Sequence, residues 1–338
     1  MRRPELIDTP YPYLSLQDIG VTSRELAPDL SDQQASSLEA KLLEIKEQYA
    51  PVDSTFYSID AEALYHDLEL NAASELVRTD RRVGVVYMDK DIAIHQALGE
   101  RERRLDLSRS ASGSIVSRRG IQLSADEQIR GMITWADQQQ LDELVLVDDV
   151  LAFGDTVSAI VATIRAALDS DRPKIRMLAG IAASGGIWRG LEVAHEANIE
   201  VTALTTVLAS DPVEGKTKGM AIPTSRDLTI LGGKIGDLEG QSVPYFLPFS
   251  EPLMSILGER SQWKQASLDL LDFNETFISV LEDINGAPVT IGSLALSGFG
   301  IPYTSLDRPD IRFAVPDVSV EVATYIAKLR DVVHHLEV

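Results

Sequence analysis

None of the 338 residues is cysteine. That excludes disulfides and thiolate chemistry, and it fits a cytoplasmic protein without requiring one. No apolar run approaches the ~18 residues needed to span a bilayer, so no membrane segment is expected. The opening residues, MRRPELIDTPYPYLS, carry two arginines but no apolar stretch of the kind a secretory signal needs. Positive charge is scarce too: 31 Lys and Arg stand against 52 Asp and Glu, a formal net charge of −21. Such a surface repels nucleic acid and anionic membranes, so neither is an expected partner. What remains is ordinary, with 44% apolar and 25% charged residues and length enough for one large or two modest domains.

Several catalytic signatures are missing as well. There is no GxGxxG, so a dinucleotide site lacks its fingerprint. The nearest approach to a P-loop is SDPVEGKT, Ser210 to Thr217, which lacks the first glycine and lies downstream of the acidic strand described below. LALSGFG around Ser297 fails the GxSxG pattern, because Ala295 and Phe299 occupy the glycine positions. The five histidines (His66, His95, His195, His334, His335) show no metal-ligand spacing. His66, His95 and His195 read as surface or satisfied core residues of amphipathic helices.

Three zones follow one another along the chain. Residues 1–75 read as irregular and then helical, with Leu38, Leu42, Ile45 and Tyr49 on one helical face after a cap at Ser31. A second short helix is expected from Asp60. Residues 76–245 alternate strands and helices. The strands are RVGVVYM (82–88), LVLVDDV, KIRMLAGIAAS and IEVTALTTVLA. Helices are expected through IAIHQALGE, after a Ser124–Glu127 capping box, along Val157, Ile160, Val161, Ile164 and Leu168, and through GIWRGLEVAHEAN. This alternation predicts an α/β fold with a doubly wound parallel sheet. Residues 246–338 read as mainly helical, with a short strand at PVTIGSLAL. The helical ends offer surfaces for a homo-oligomer or a protein partner.

One stretch asks for a ligand: LVLVDDVLAFGDTVSAI, residues 144–160. Adjacent carboxylates repel each other and resist packing. Here Asp148 and Asp149 end an apolar strand, and in an open parallel sheet ligands bind beyond the carboxyl ends of the strands. The residues that follow lead into a helix amino terminus, which favours an anion, and Gly154 allows close backbone approach. Carboxylates for sugar hydroxyls beside a phosphate cradle describe a phosphosugar or nucleotide site. The bland alternative is that the aspartates cap the next helix or pair with a lysine.

A second unusual stretch is RERRLDLSRSASGSIVSRRG, residues 101–120, with six arginines in an acidic chain. Its small, polar centre predicts a loop. It reads either as a solvated segment or as a lid whose Arg109, Arg118 and Arg119 meet phosphate oxygens. Ile222 to Gly236 holds Lys234 beside two glycines and is a further candidate anion loop. Trp188, Tyr245, Phe246 and Phe249 read as core aromatics, with stacking on an acceptor base as the alternative.

VLVDDVLAFGDT resembles the phosphoribosyl pyrophosphate (PRPP) motif of type I phosphoribosyltransferases, with Asp148, Asp149, Val150, Gly154 and Thr156 matching. The resemblance covers about residues 80–210. It implies the type I phosphoribosyltransferase fold with helical additions at both ends, a cytoplasmic glycosyltransferase of nucleotide metabolism, and PRPP with Mg²⁺ as ligand. The acidic pair would meet the ribose hydroxyls, and Ala152, Phe153, Gly154, Asp155 and Thr156 would hold the 5′-phosphate. Lys90, after the first strand, and the loop arginines would hold pyrophosphate, with Mg²⁺ bound through PRPP and no direct protein ligand to the metal. Two positions depart from the pattern. Phe153 stands where the family usually has a hydroxyl residue, and Asp155 adds negative charge to the cradle. Backbone N–H groups can carry such a cradle without side-chain help. A non-catalytic PRPP or nucleotide sensor is the alternative that these departures favour.

Overall fold

The structure is a computed structural model. It describes residues 5–7, 12–24, 26–50, 54–78, 80–88, 91–92, 98–109, 115–117, 122–151, 160, 162–164, 174–183, 201–209, 225–231, 234–235, 242–243, 246–247, 259–296 and 319–336. Among these, a six-stranded parallel sheet forms the centre. Its strands are β1 (Glu5–Ile7), β4 (Val83–Tyr87), β5 (Glu102–Arg104), β8 (Glu143–Leu151), β9 (Lys174–Ala183) and β10 (Val201–Ala209). Their order across the sheet is β1-β10-β9-β8-β4-β5, every pair parallel.

Both faces of the sheet are covered, which is why β4 and the Leu144–Val147 stretch of β8 are continuous buried apolar runs, whereas the edge strand β5 is charged. Val86, Leu144, Leu146, Ile175 and Met177 face one layer, with Ile129, Met132 and Ile133 of α4 (Ala125–Gln138) and the buried Ile160 and Ile164. Val83, Val85, Tyr87, Val145 and Val147 face the other, against Leu64, Tyr65 and Leu68 of α3 (Ala61–Leu76). β2 (Pro12–Gln17) and β3 (Thr55–Asp60) form a separate parallel pair whose Leu14 and Leu16 join that second layer. The expected α/β class and parallel sheet are thus present.

The helices begin where their caps direct. Ser124 accepts from the Glu127 amide at 3.2 Å while the Glu127 carboxylate accepts from the Ser124 amide at 2.8 Å, a complete capping box. α2 (Asp32–Tyr49) starts with the same device on Ser31 and Gln34. Asp60 caps α3 through the Ala63 amide at 3.0 Å.

A second core lies apart from the sheet. α2 and α1 (Ile19–Ser23) pack there with α5 (Trp263–Asn285), α6 (Ile291–Leu296) and α7 (Val322–His335), around Leu42, Phe277, Leu281, Tyr325 and Leu329. Residues 1–75 serve both cores: β1 extends the sheet and α3 covers it, while α2 belongs to the helical core.

Three expectations are corrected. The first zone is not merely irregular and helical, since it supplies β1, β2 and β3. PVTIGSLAL makes only an isolated bridge, Thr290 to Glu321, and then a helix. The β-branched run suggests a strand, but Thr290 and Ser293 cap each other's amides, at 3.0 and 3.2 Å, and start α6. The arginine-rich segment is not only loop: β6 (Leu107–Arg109) and β7 (Ile115–Ser117) pair as an antiparallel hairpin. The helices expected through IAIHQALGE and GIWRGLEVAHEAN fall wholly or largely outside the described residues.

Candidate functional site

Strand order places the candidate site. The chain leaves β4 towards β5 on one side, and it leaves β8 towards β9 on the other. The two connections diverge, so the carboxyl ends of β4 and β8 flank the switch point at which open α/β sheets bind ligands. β4 ends at Tyr87, opposite Val147, and the Met88 amide makes a last bond to the Val147 carbonyl at 2.8 Å. β8 runs on for four more residues beside β9 alone. Asp148 and Asp149 are the first residues past the point where β4 stops.

Here the strand changes phase. Val145 and Val147 face the α3 layer and Leu144 and Leu146 the α4 layer, so strict alternation would send Val150 to the α4 side. Instead Leu151 packs with the α4 layer and Val150 against the α3 layer. β9 shifts in step: Met177 and Ala179 face α4, then Ile181 faces α3 and Ala182 faces α4. The slip falls at Asp149 and Gly180, the position that the register skips between Asp148–Ala179 and Val150–Ile181. A Cβ on Gly180 would lie 2.8 Å from the Asp149 carbonyl oxygen and 2.9 Å from Leu64. Glycine is required there by close approach of the neighbouring strand.

At the slip the acidic side chains meet backbone amides. Asp148 accepts from the Asp149 amide at 3.2 Å, and Asp149 accepts from the Val150 amide at 2.7 Å. Asp149 is buried and Asp148 half-buried. A pair of carboxylates held at a strand end by backbone amides is oriented before any ligand arrives.

A further buried acidic residue lies on the connection that leaves β4. Asp91 follows β4, is 2% exposed, and pairs with Arg226 at 2.7 Å. Ile92 beside it is buried against the sheet, and its carbonyl lies 3.5 Å from the Arg104 guanidinium of β5. Arg226 opens a short 3₁₀ turn (Arg226–Leu228), and its amide donates to Asp18 at 2.7 Å. Behind it lies a buried polar cluster. Lys46 donates to Ser15 at 2.6 Å and Ser225 at 2.9 Å, Ser225 donates to Glu39 at 2.6 Å, and Glu39 accepts from the Ile19 amide at 2.8 Å. Burial pushes the Asp18 carboxyl up to about 8, against the pull of Arg226. It pushes the Lys46 ammonium down to about 8, against the pull of Glu39 and Asp18. Glu39 is raised by burial as well.

In the sequence, Ser225 and Arg226 fall within the candidate anion loop Ile222 to Gly236 but are not marked there individually, and Asp18, Glu39, Lys46 and Asp91 are not marked at all. One signal is present: Glu39 and Lys46 sit seven apart on the face of α2 that also carries Leu38 and Leu42, where a charged residue needs a buried partner. Asp91, Ser225 and Arg226 carry no such mark.

Of the residues expected from the resemblance, Asp148 and Asp149 stand together at the carboxyl edge. Arg109 ends β6, with its side chain outside the described residues. Lys90, Arg118, Arg119 and the loop Ala152, Phe153, Gly154, Asp155 and Thr156 lie outside the described residues altogether. Lys234 begins β11 (Lys234–Ile235), which pairs antiparallel with β12 (Ser242–Val243). Phe246 is buried in the helical core, as an aromatic of that stretch is expected to be, and His66 is exposed on α3. Trp188, Tyr245 and Phe249 lie outside the described residues.

These features define an α/β protein with a parallel sheet and an acidic carboxyl edge. No family model matches the sequence, and no curated protein matches it either. Among solved structures, the chain is similar to the AQ2163 protein from Aquifex aeolicus, at 14% identity over 52% of this chain and 84% of that one, with a TM-score of 0.29. It is also similar to TT1426 from Thermus thermophilus, at 15% identity over 42% of this chain and 82% of that one, with a TM-score of 0.21. At these scores neither likeness bears on function. No helix among the described residues is long and apolar enough to cross a membrane.

Proposed function

We propose that this chain is a phosphoribosyltransferase-like enzyme of the type I kind, binding PRPP and Mg²⁺ beyond the carboxyl ends of β4 and β8. The bond from ribose C1 to pyrophosphate breaks, a bond from C1 to a nitrogen acceptor forms, and pyrophosphate leaves. The observation that carries this reading is the position of Asp148 and Asp149. They sit at the switch point, at the residue where β8 outruns β4, with carboxylates already aimed by the amides of Asp149 and Val150. Vicinal ribose hydroxyls are two donors spaced for neighbouring acceptors, and hydrogen bonds to ionised acceptors are the stronger ones.

Mg²⁺ dehydrates reluctantly and is usually held by one or two carboxylates together with substrate phosphates. Here the oxygens of PRPP would supply the ligands, and the negative charge of the nearby Asp148 and Asp149 favours the cation beside them. Mg²⁺ bound through PRPP would stabilise the negative charge that develops on departing pyrophosphate. The chain's own part is to hold the ribose by Asp148 and Asp149. The 5′-phosphate falls to the loop of residues 152–156, and pyrophosphate to Lys90 and to Arg109, Arg118 and Arg119.

A second reading is a PRPP or nucleotide sensor that binds without turnover. Phe153 favours it, because a hydroxyl contact to the 5′-phosphate is replaced by an aromatic ring. Thermal melts with PRPP, nucleotides and bases, each with and without Mg²⁺, test the shared claim of binding. PRPP with Mg²⁺ at about 100 times its dissociation constant is expected to add about 2.7 kcal/mol of stability. A melting curve unmoved by millimolar PRPP and Mg²⁺ would sink both readings. Pyrophosphate release on adding acceptor bases separates enzyme from sensor.

A further inference from the structure

The segment 225–231 is tied to more elements than its length requires. The Ser225 amide donates to the Leu16 carbonyl at 2.8 Å, at the end of β2. Its hydroxyl joins Lys46 and Glu39 of α2. Asn274 of α5 donates to the Leu228 carbonyl at 3.2 Å and accepts from the Ile230 amide. Leu228, Ile230 and Leu231 are buried in the helical core. From this anchored base one side chain reaches the sheet: the Arg226 guanidinium pairs with Asp91, the fourth residue after β4.

From this geometry we infer that Arg226 is a positioning residue: it fixes Asp91 and Ile92, just past the end of β4, against the helical core, on the connection that leaves the sheet at the same carboxyl edge as Asp148 and Asp149. The inference rests on the proposed ligand site for its consequence, though not for the tie itself. Three observations carry it. Asp91 is 2% exposed, so its charge is stabilised by Arg226 more than by water. The backbone of Arg226 is fixed independently of its side chain, by Asp18 and by the turn that Thr229 closes with a 2.8 Å bond to the Arg226 carbonyl. The opposite side of the same connection is held by burial of Ile92 and by Arg104 of β5. An ion pair between two packed cores, one end at a ligand edge, lets the helical core set the geometry of that edge. Lys46, Glu39 and Asp18 then serve to hold the base from which Arg226 reaches.

The test compares the parent with Arg226→Gln/Asp91→Asn, in which both charges are removed together so that neither is left buried alone. Arg226→Lys is the conservative control. Two measurements are made on the full-length chain: amide hydrogen exchange by peptide, and the PRPP dissociation constant with Mg²⁺. In the double variant, exchange is expected to accelerate in the peptide holding Asp91 and Ile92 while α5 keeps its protection. PRPP binding is expected to weaken about tenfold, the worth of one charge-assisted hydrogen bond. Arg226→Lys, which keeps a cation facing Asp91, is expected to return part of both. Unchanged exchange at Asp91–Ile92 overturns the inference. So does exchange that rises equally in α5, which would make the pair general cohesion between the cores. If the parent fails to bind PRPP, the proposed function falls and the exchange measurement still decides the tie.

Discussion

Asp149 and Gly180 form a matched pair of residues. The phase slip that aims the two carboxylates depends on the Asp149 carbonyl lying where residue 180 would carry a Cβ. Gly180→Ala is therefore expected to cost about 1–3 kcal/mol, because the atom it meets is backbone on one side and the packed Leu64 on the other. It should also weaken PRPP binding by more, per unit of stability lost, than the neighbouring Ile181→Val, since it turns Asp149 while Ile181→Val leaves the backbone approach intact. Denaturant melts and binding measurements on the two variants check this. Equal binding would mean that the slip does not orient the acidic pair. At this scale the sequence is informative about Asp148 and Asp149, because tandem charges after an apolar strand break the local pattern. It is silent on Asp91 and Arg226, whose 2.7 Å pair joins residues 135 apart in the chain. Only the fold brings such residues together.

Among the elements, long and strongly patterned ones are legible and short ones are not. β4, β8, β9 and β10 show in their apolar runs, and α2, α3 and α4 in their caps on Ser31, Asp60 and Ser124. β1 and the β6–β7 hairpin strands have three residues each, too few to show a period. β2 and β3 are longer, but they are stabilised by each other, far apart in the chain, and by α3. PVTIGSLAL shows the reverse case, where β-branched residues suggest a strand and a reciprocal cap starts a helix instead. In α2 the apolar face is plain through Leu38, Leu42, Ile45 and Tyr49, and its two charged members are easily passed over. Glu39 and Lys46 are buried there because β2 and the 225–231 segment bring partners to them.

For the molecule as a whole, the buried cluster between the two cores makes stability depend on pH. Asp18 has a folded-state value of about 8, raised by burial, so the folded protein holds that proton where the unfolded chain has lost it. Its contribution is present in acid and is lost as pH rises from about 4 to about 8. Glu39, raised by burial, acts in the same sense. Lys46 is depressed to about 8, so its contribution is present above its ordinary range near 10.5 and is lost as pH falls towards 8. Together they place the weakest contribution of this cluster near pH 8. Urea melts between about pH 5 and pH 8 are expected to show stability falling with pH, by at most about 1.4 kcal/mol per unit for each proton. Asp18→Asn is expected to flatten that slope. A slope unchanged by the substitution would mean that Asp18 is ionised in the folded protein at neutral pH.

The acidic pair at the carboxyl edge is the centre of the account, and replacing both residues tests it. Asparagine oxygens can still accept from the Asp149 and Val150 amides, so Asp148→Asn/Asp149→Asn keeps the local bonds and removes two like charges. The decisive measurement is the thermal melt of parent and double variant, each with and without PRPP and Mg²⁺. If Asp148 and Asp149 hold the ribose, the ligand-free variant is as stable as the parent or slightly more so, with the stabilisation by PRPP largely gone. A variant that loses about 1 kcal/mol or more without ligand, yet is stabilised by PRPP as much as the parent, would contradict it.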